Sequence, residues 1–184
     1  MKKLSHAEIS ANRAKPDKLH EVKRAPVYAL IDSVRSSYNV GSIFRTSDGA
    51  MIEKLYLCGY TPHPPNKDIL KTALGATESV PWEYIKDPVE AVRKLKSEGV
   101  KIAALEQTDS GRNYYEIEKE EYPVCLVVGN EITGVSAPLI KECDFALEIP
   151  QYGIKQSLNV AVAYGIAIFE LRKIFDLSKG SADQ

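Results

Sequence analysis

Residues 147–169, which read LEIPQYGIKQSLNVAVAYGIAIF, constrain the fold of this chain most. The pattern predicts a short apolar strand, a loop with Pro and Gly, and then a helix. From Val160 to Phe169 that helix carries no charge, whereas a helix on a protein surface shows a polar face. We therefore expect it to be buried on most sides. The run ends at Glu170, well short of the roughly 20 residues of a membrane span, so its cover must be protein, in part a second subunit.

The composition is that of one globular domain. The chain has 184 residues, of which 44% are hydrophobic and 27% charged, which is enough to bury a core. It contains no internal repeat and no apolar signal segment, and we expect a cytoplasmic protein. Cys58, Cys125 and Cys143 form no C-x-x-C pair, and the three histidines share no ligand spacing with them. These patterns predict reduced thiols and no metal site.

The charge distribution limits how an anionic partner could bind. A formal net charge of −1 argues against a generally basic nucleic-acid binder. The best candidate for a local basic patch is a leader at residues 1–25, where seven Lys and Arg residues outnumber three acidic ones. The capping-box spacing of Ser5 and Glu8 predicts a short helix that begins near Ser5 and ends before Pro16. A solvated leader without any partner explains the same charges.

Apolar strands alternate with helices in the rest of the chain. Strands are predicted at residues 27–34, 54–58, 81–86, 100–105, 124–128 and 145–149, and helices at 39–48, 88–99 and 137–142. This alternation predicts an α/β fold with a mostly parallel sheet and helices on both faces. We expect residues 26–177 to form the domain and 178–184 a tail. Residues 111–122 are polar and give no clear pattern.

Polar and glycine residues gather where four of the predicted strands end. They occupy residues 32–39, 106–109, 129–134 and 151–159. Ligands bind parallel sheets outside the carboxyl ends of the strands, so we expect these four loops to line one crevice. The sequence has no G-x-G-x-x-G, P-loop or G-x-S-x-G motif. It therefore gives no support for a dinucleotide site, a nucleoside triphosphatase or a serine hydrolase.

Three segments in chain order resemble the motifs of one family. They are NVGSIFRTSDGA from Asn39, LVVGNEITGVS from Leu126 and IPQYGIKQSLNVAVAYGIAIFE from Ile149. They are similar to the three successive motifs of the SpoU, or TrmH-like, RNA 2′-O-ribose methyltransferases of the SPOUT superfamily. The resemblance covers residues 27–175. It implies a carboxy-terminal trefoil knot, S-adenosylmethionine bound by the knot loops, and a homodimer packed through the terminal helix.

The resemblance also implies roles for individual residues. The catalytic candidates match polar positions of the three motifs and are Asn39, Arg45, Glu131, Ser157 and Asn159. The methyl donor would be held mostly by backbone groups, at Leu105, Gly129, Ile149 and Leu158. A glycine at position 129 would let the backbone approach a ligand closely. The implied substrate is the ribose 2′-hydroxyl of tRNA or rRNA, with tRNA slightly preferred.

Arg45 is the leading catalytic residue. A guanidinium normally stays charged, so we expect it to bind a neighbouring phosphate and stabilise the developing alkoxide, although proton removal by the arginine itself is the other possibility. Each candidate also has an ordinary explanation. Asn39 and Ser157 could cap helices, Glu131 could hold a turn, and Arg45 could be solvated.

Other functions are compatible with the same sequence. A non-catalytic RNA-binding or ribosome-assembly factor could use this fold, and a superfamily member could methylate a base instead of a ribose. The near-neutral charge also permits a small-molecule-binding α/β protein without an RNA partner.

Overall fold

A computed structural model describes residues 1–11 and 13–180, and within them all strands belong to one parallel sheet of seven strands. The strands are β1 (Ala25–Asp32), β2 (Ile52–Cys58), β3 (Trp82–Ile85), β4 (Lys101–Leu105), β5 (Arg112–Asn113), β6 (Val124–Val128) and β7 (Phe145–Glu148). Their order across the sheet is β3-β2-β1-β6-β4-β7-β5, and every neighbouring pair is parallel. The α/β fold predicted from the sequence is confirmed.

Helices cover both faces of the sheet. They are α1 (His6–Ala11), α2 (Ser37–Ala50), α3 (Lys67–Ala73), α4 (Ala76–Ser79), α5 (Pro88–Ser97), α6 (Ala137–Ile140) and α7 (Val160–Gly180), with 3₁₀ turns at Pro16–Glu21 and Lys119–Glu121. One core lies between the sheet and α2, α3, α4 and α7, and the other between the sheet and α5 and α6. In the described part of the chain, no helix is both long and apolar enough to cross a bilayer.

The middle of the sheet is buried on both faces, as is typical of parallel strands. All five residues of β6 are buried. Val27 and Ile31 of β1 point to one core and Leu30 to the other. Because β1, β6, β4 and β7 are neighbours in this order, the loops that follow their carboxyl ends converge at one edge of the sheet, as the sequence predicts.

The two ends of the chain differ in how they contact this domain. Ser5 and Glu8 form the predicted capping box, with Glu8 Oε2 accepting from the Ser5 N–H at 2.7 Å and Ser5 Oγ accepting from the Glu8 N–H at 3.3 Å. Helix α1 nevertheless has no buried residue. At the other end, α7 extends to Gly180, three residues into the predicted tail, and residues 181–184 lie outside the described part. The threading of α7 through a knot stays a prediction.

Both helix caps expected near the site are formed by other residues. Helix α2 is capped by Ser36, whose Oγ accepts a hydrogen bond from the N–H of Asn39 at 3.3 Å. The expectation that Asn39 is the cap is therefore wrong. Helix α7 is capped by Asn159, whose Oδ1 accepts from the Ala161 N–H at 2.9 Å. Ser157 is exposed and does not cap it.

The terminal helix is buried on one side only. Tyr164, Ala167, Ile168 and Leu171 lie in the core. By contrast, Val162, Ile166 and Phe169 are 52%, 37% and 50% exposed, so burial on most sides does not hold within one chain. We call these three side chains the α7 stripe. An apolar stripe on a helix is ordinarily covered.

A buried polar pair fixes α2 against α7. Ser47 Oγ and the Tyr164 hydroxyl are 2.6 Å apart, and both residues are fully buried. Burial is the main cause that raises the pKa of the Tyr164 hydroxyl above its usual range, so this pair stays neutral. Among the described residues, the Ser47 and Tyr164 hydroxyls have no hydrogen-bond partner other than each other.

We predict that Tyr164→Phe destabilises the protein by about 1–3 kcal/mol, because it leaves the buried Ser47 hydroxyl without a partner. Urea unfolding measures this change. The double variant Ser47→Ala/Tyr164→Phe removes both polar groups and should lose less stability than the single variant. A single variant as stable as the wild type would show that the pair does not fix the helix junction.

Candidate active site

A cavity of about 310 Å³ opens where β4, β6 and β7 end. All four residues assigned to the methyl donor line it, namely Leu105, Gly129, Ile149 and Leu158. Three of the five catalytic candidates line it as well, namely Glu131, Ser157 and Asn159. The structure thus brings together most of the residues that the three sequence motifs single out.

The Glu131 carboxylate is the main hydrogen-bond acceptor at the mouth of this cavity. Its Oε2 accepts from the N–H of Arg35 at 2.9 Å, and its Oε1 accepts from the N–H of Ser36 at 3.1 Å. The Asn39 side chain donates a third hydrogen bond to Oε1 at 3.0 Å. Glu131 therefore joins the loop after β6 to the chain segment that enters α2.

Asn39 extends this connection to the terminal helix. Its Oδ1 accepts a hydrogen bond from Asn159 Nδ2 at 3.1 Å, while its own Nδ2 donates to Glu131. The Oδ1 of Asn159 caps α7. One residue from each sequence motif is thus bonded to the next, and we call Glu131, Asn39 and Asn159 the polar relay. This contact explains the polar amide of Asn159 at the start of an apolar helix.

Arg45 lies apart from the polar relay within the single chain. It is exposed on α2 and does not line the cavity. Its guanidinium has no hydrogen-bond or ion-pair partner among the described residues. It lies one turn before Gly49, which packs beside Phe169: a Cβ at position 49 would be 3.4 Å from the Phe169 ring. Arg45 therefore borders the α7 stripe.

Gly129 is required by the loop that follows it. A Cβ at this position would overlap the carbonyl carbon of Gly134 and the nitrogen of Val135. The N–H of Asn130 donates to Gly134 O at 3.0 Å, and the N–H of Gly134 donates to Asn130 O at 2.9 Å. The tight turn after β6 therefore packs directly on the Gly129 backbone. The expected close approach of a ligand to the Gly129 backbone stays a prediction.

A sequence model of the SpoU rRNA Methylase family matches residues 26–169. This chain belongs to the SpoU rRNA methylase family. The resemblance carried by the three sequence motifs is confirmed.

Two curated relatives differ in their RNA. The 23S rRNA (guanosine(2553)-2'-O)-methyltransferase RlmP of Bacillus subtilis is 39% identical over 143 residues, which cover 78% of this SpoU family chain and 56% of the relative. The tRNA (guanosine(18)-2'-O)-methyltransferase of Aquifex aeolicus is 34% identical over 157 residues, which cover 83% of the chain and 72% of the relative. The chain thus spans little more than half of the first relative's length.

Solved structures of the family share the fold. The A. aeolicus TrmH/SpoU tRNA modifying enzyme superposes with a TM-score of 0.80 at 30% identity, covering 89% of this chain and 84% of that one. An AdoMet-bound rRNA methyltransferase from Sinorhizobium meliloti superposes with a TM-score of 0.76 at 30% identity, covering 84% and 59% of the two chains. The fold of these solved SpoU family structures is therefore shared over most of this chain.

Two residues that organise the loops of this SpoU family site stand in the predicted crevice loops, but the sequence indicates no individual role for them. Glu106 and Asn130 both line the cavity. Asn130 Oδ1 accepts from the Ile132 N–H at 2.9 Å, and its Nδ2 donates to Ser33 O at 2.8 Å. An Asn in the G-N-E sequence after a strand is a turn signal, which could have identified its local bond. The contact with Ser33, 97 residues away, has no sequence signal.

The environment of Glu131 favours its charged form. Partial burial opposes ionisation, but the hydrogen bonds from backbone N–H groups, among them those of Arg35 and Ser36, outweigh it and lower the pKa of Glu131 below 4.5. A carboxyl group with a lowered folded-state pKa contributes its stability above the unfolded-state pKa. That contribution is lost as the pH falls through the folded-state pKa.

We predict that Glu131→Gln lowers the free energy of unfolding by about 1 kcal/mol at neutral pH, because the amide cannot accept all three hydrogen bonds and carries no charge. The site is exposed, which keeps this value small. Urea unfolding should show the difference at pH 7 and its decline as the pH falls below the usual range of a glutamate carboxyl. Glu78→Gln, at an exposed helical position, is the control. A pH-independent difference would contradict the assigned ionisation.

Proposed function

We propose that this chain transfers a methyl group from S-adenosylmethionine to a ribose 2′-hydroxyl of RNA. The observation that carries the proposal is the polar relay, which joins all three family motifs at the mouth of a cavity lined by the four expected donor-binding residues. Two curated relatives, an rRNA and a tRNA guanosine 2′-O-methyltransferase, support it.

The cavity residues fit this methyl donor. The cavity has a volume of about 310 Å³, which lies at the lower end of the usual range for small-molecule sites. Leu105, Ile149 and Leu158 offer apolar surface to a flat base. Glu131 and Glu148 also line the cavity, and no Lys or Arg does so among the described residues, so a cationic ligand is favoured. S-adenosylmethionine supplies a methyl group on a cationic sulfur, which is a good leaving group.

The polar relay would orient the ribose. Both amides are fixed by their mutual bond, with the Asn39 amide also bonded to Glu131 and Asn159 also capping α7. Fixed groups of this kind align a reacting hydroxyl without being reorganised during the reaction. Ser157, exposed at the rim without a partner among the described residues, is available to contact the RNA. Only RNA presents the 2′-hydroxyl.

Arg45 would act on the phosphate beside the target ribose. Its guanidinium can bind phosphate through two hydrogen bonds and stabilise the developing alkoxide. In this role it must reach a cavity, yet it does not line the one in its own chain. A second copy resolves this difference, because Arg45 borders the α7 stripe and would be presented to the partner's site across that stripe.

The homodimer is proposed on the same face. The α7 stripe consists of Val162, Ile166 and Phe169, one or two turns apart, each more than a third exposed. A two-fold interface buries the same patch on both copies, and this patch continues onto α2 at Gly49.

RNA substrates imply a cytoplasmic protein.

We propose tRNA as the first substrate to test. One solved relative, with 89% of this chain and 84% of its own chain covered, is a tRNA modifying enzyme, whereas the curated relative at 39% identity acts on 23S rRNA. The experiment is transfer of labelled methyl from S-adenosylmethionine into total tRNA and rRNA lacking the modification, followed by nuclease digestion and mass spectrometry. A new 2′-O-methylnucleoside supports the proposal. Label on a base, or no label despite donor binding, would reject ribose methylation.

We predict that Arg45→Ala lowers methyl transfer by at least about 100-fold, since a group that stabilises developing charge contributes on this scale. Donor affinity should stay within about twofold, because the proposed role of Arg45 is to bind the RNA phosphate and not the donor. Donor affinity is measured by calorimetry and turnover by label transfer. Arg93→Ala, which removes an exposed guanidinium paired with Glu142 on another part of the surface, is the control. Wild-type turnover by Arg45→Ala would reject the assignment.

We predict that Phe169→Glu converts the dimer to monomers, because two buried carboxylates would face each other across the two-fold axis. Analytical ultracentrifugation measures the mass. Leu70→Glu places the same charge on α3, at a side chain that is 45% exposed, and should leave the mass unchanged. A wild-type monomer, or a dimer that tolerates Phe169→Glu, would reject this interface.

A further inference from the structure

Glu106, the first residue after β4, is bonded to the backbone on two sides. Its Oε2 accepts a hydrogen bond from the N–H of Val135 at 3.0 Å, and its Oε1 accepts one from the N–H of Gln107 at 3.0 Å. The residue also lines the cavity. Its carboxylate therefore joins the loop after β4 to the turn after β6.

The peptide between Gly134 and Val135 is held between Glu106 and Gly129. On one side its N–H donates to Glu106, and a Cβ at Gly134, where φ is +67°, would overlap Glu106 Oε2. On the other side the same peptide packs so closely on Gly129 that a Cβ there would overlap it. A movement of Glu106 would therefore be transmitted through one peptide to the Gly129 backbone.

The neighbouring residue connects the same loop to the third wall of the cavity. The Gln107 side chain donates a hydrogen bond to Gln156 O at 2.6 Å. Gln156 lies in the loop that leads through Ser157 and Leu158 to α7. Residues 106 and 107 thus contact the loops after both β6 and β7, the two loops that supply Gly129 and Leu158 to the cavity.

We propose that Glu106 is a positioning residue for the methyl donor, which fixes the Gly129 backbone through the Gly134–Val135 peptide. This inference rests on the proposed function in that the donor is S-adenosylmethionine. Both Glu106 oxygens are already bonded to backbone N–H groups, so its part is to hold the cavity wall. The sulfonium charge of the donor is not what it recognises.

The test is donor binding by Glu106→Gln, measured by calorimetry with S-adenosylmethionine and with S-adenosylhomocysteine. The first has a cationic sulfur and the second a neutral one. A positioning role predicts that both dissociation constants rise by the same factor, about tenfold, which is the scale of one hydrogen bond to a charged group. The control is Asp109→Asn, on the same loop, whose side chain is bonded to Ser110 alone among the described residues. It should bind both ligands as the wild type does.

Three results would overturn the inference. They are unchanged affinity for both ligands, weaker binding of S-adenosylmethionine alone, and wild-type affinity in Glu106→Asp, which keeps the charge but is one methylene too short to keep both bonds. Glu106→Asp is also the variant to use if Glu106→Gln does not fold. A wild-type protein that binds neither ligand would instead reject the proposed function, and the inference with it.

Discussion

The site depends on the hydrogen bonds that converge on the Glu131 carboxylate. Bringing this charge partly out of water costs free energy, and the N–H groups of Arg35 and Ser36 with the Asn39 amide repay it. Hydrogen bonds to a charged group contribute about 1.5–3 kcal/mol each at most, and less at an exposed site. The carboxylate lies 92 to 96 residues from its partners. It therefore joins segments that only the folded sheet brings together.

The sheet order makes this closure possible. Strands β1, β6, β4 and β7 are neighbours in the sheet. The loops that follow them therefore begin side by side, although they are far apart in the sequence. Three carboxylates hold the turn after β6 in place. Asp32 accepts from the Ser136 N–H at 3.1 Å, Glu106 accepts from the Val135 N–H at 3.0 Å, and Glu131 anchors the turn to the start of α2. Backbone groups held in this way are suited to bind a ligand mainly through the main chain.

The sequence predicts the fold well because the signals are local. The apolar run of residues 124–128 predicts both ends of β6 correctly. A strand buried on both faces requires such an unbroken apolar pattern. Strand β5 was missed because it has two residues and only one partner strand, β7. The helix caps were predicted wrongly because several residues that can cap a helix stand close together. The sequence does not show whether Ser36 or Asn39 forms the cap of α2.

The site is predictable only in part, for a different reason. The three motifs correctly bring Asn39, Glu131 and Asn159 together, since each stands at the end of a strand or the start of a helix. The role of Gly129 depends on a turn that folds back on it, and that of Glu106 on a bond 29 residues away. Arg45 is recognisable by its motif, but no described residue of its own chain bonds its guanidinium, and its exposed position on α2 gives no sequence signal for what it binds.

Amide hydrogen exchange of wild-type protein and Glu131→Gln tests the central role of this carboxylate most directly. The N–H groups of Arg35 and Ser36 donate to Glu131, so their exchange should become faster in the variant, while the amides of β6 keep their protection. That result would show that Glu131 holds the start of α2 in place. Unchanged exchange at Arg35 and Ser36 would contradict the account, because the site would then be assembled without this interaction.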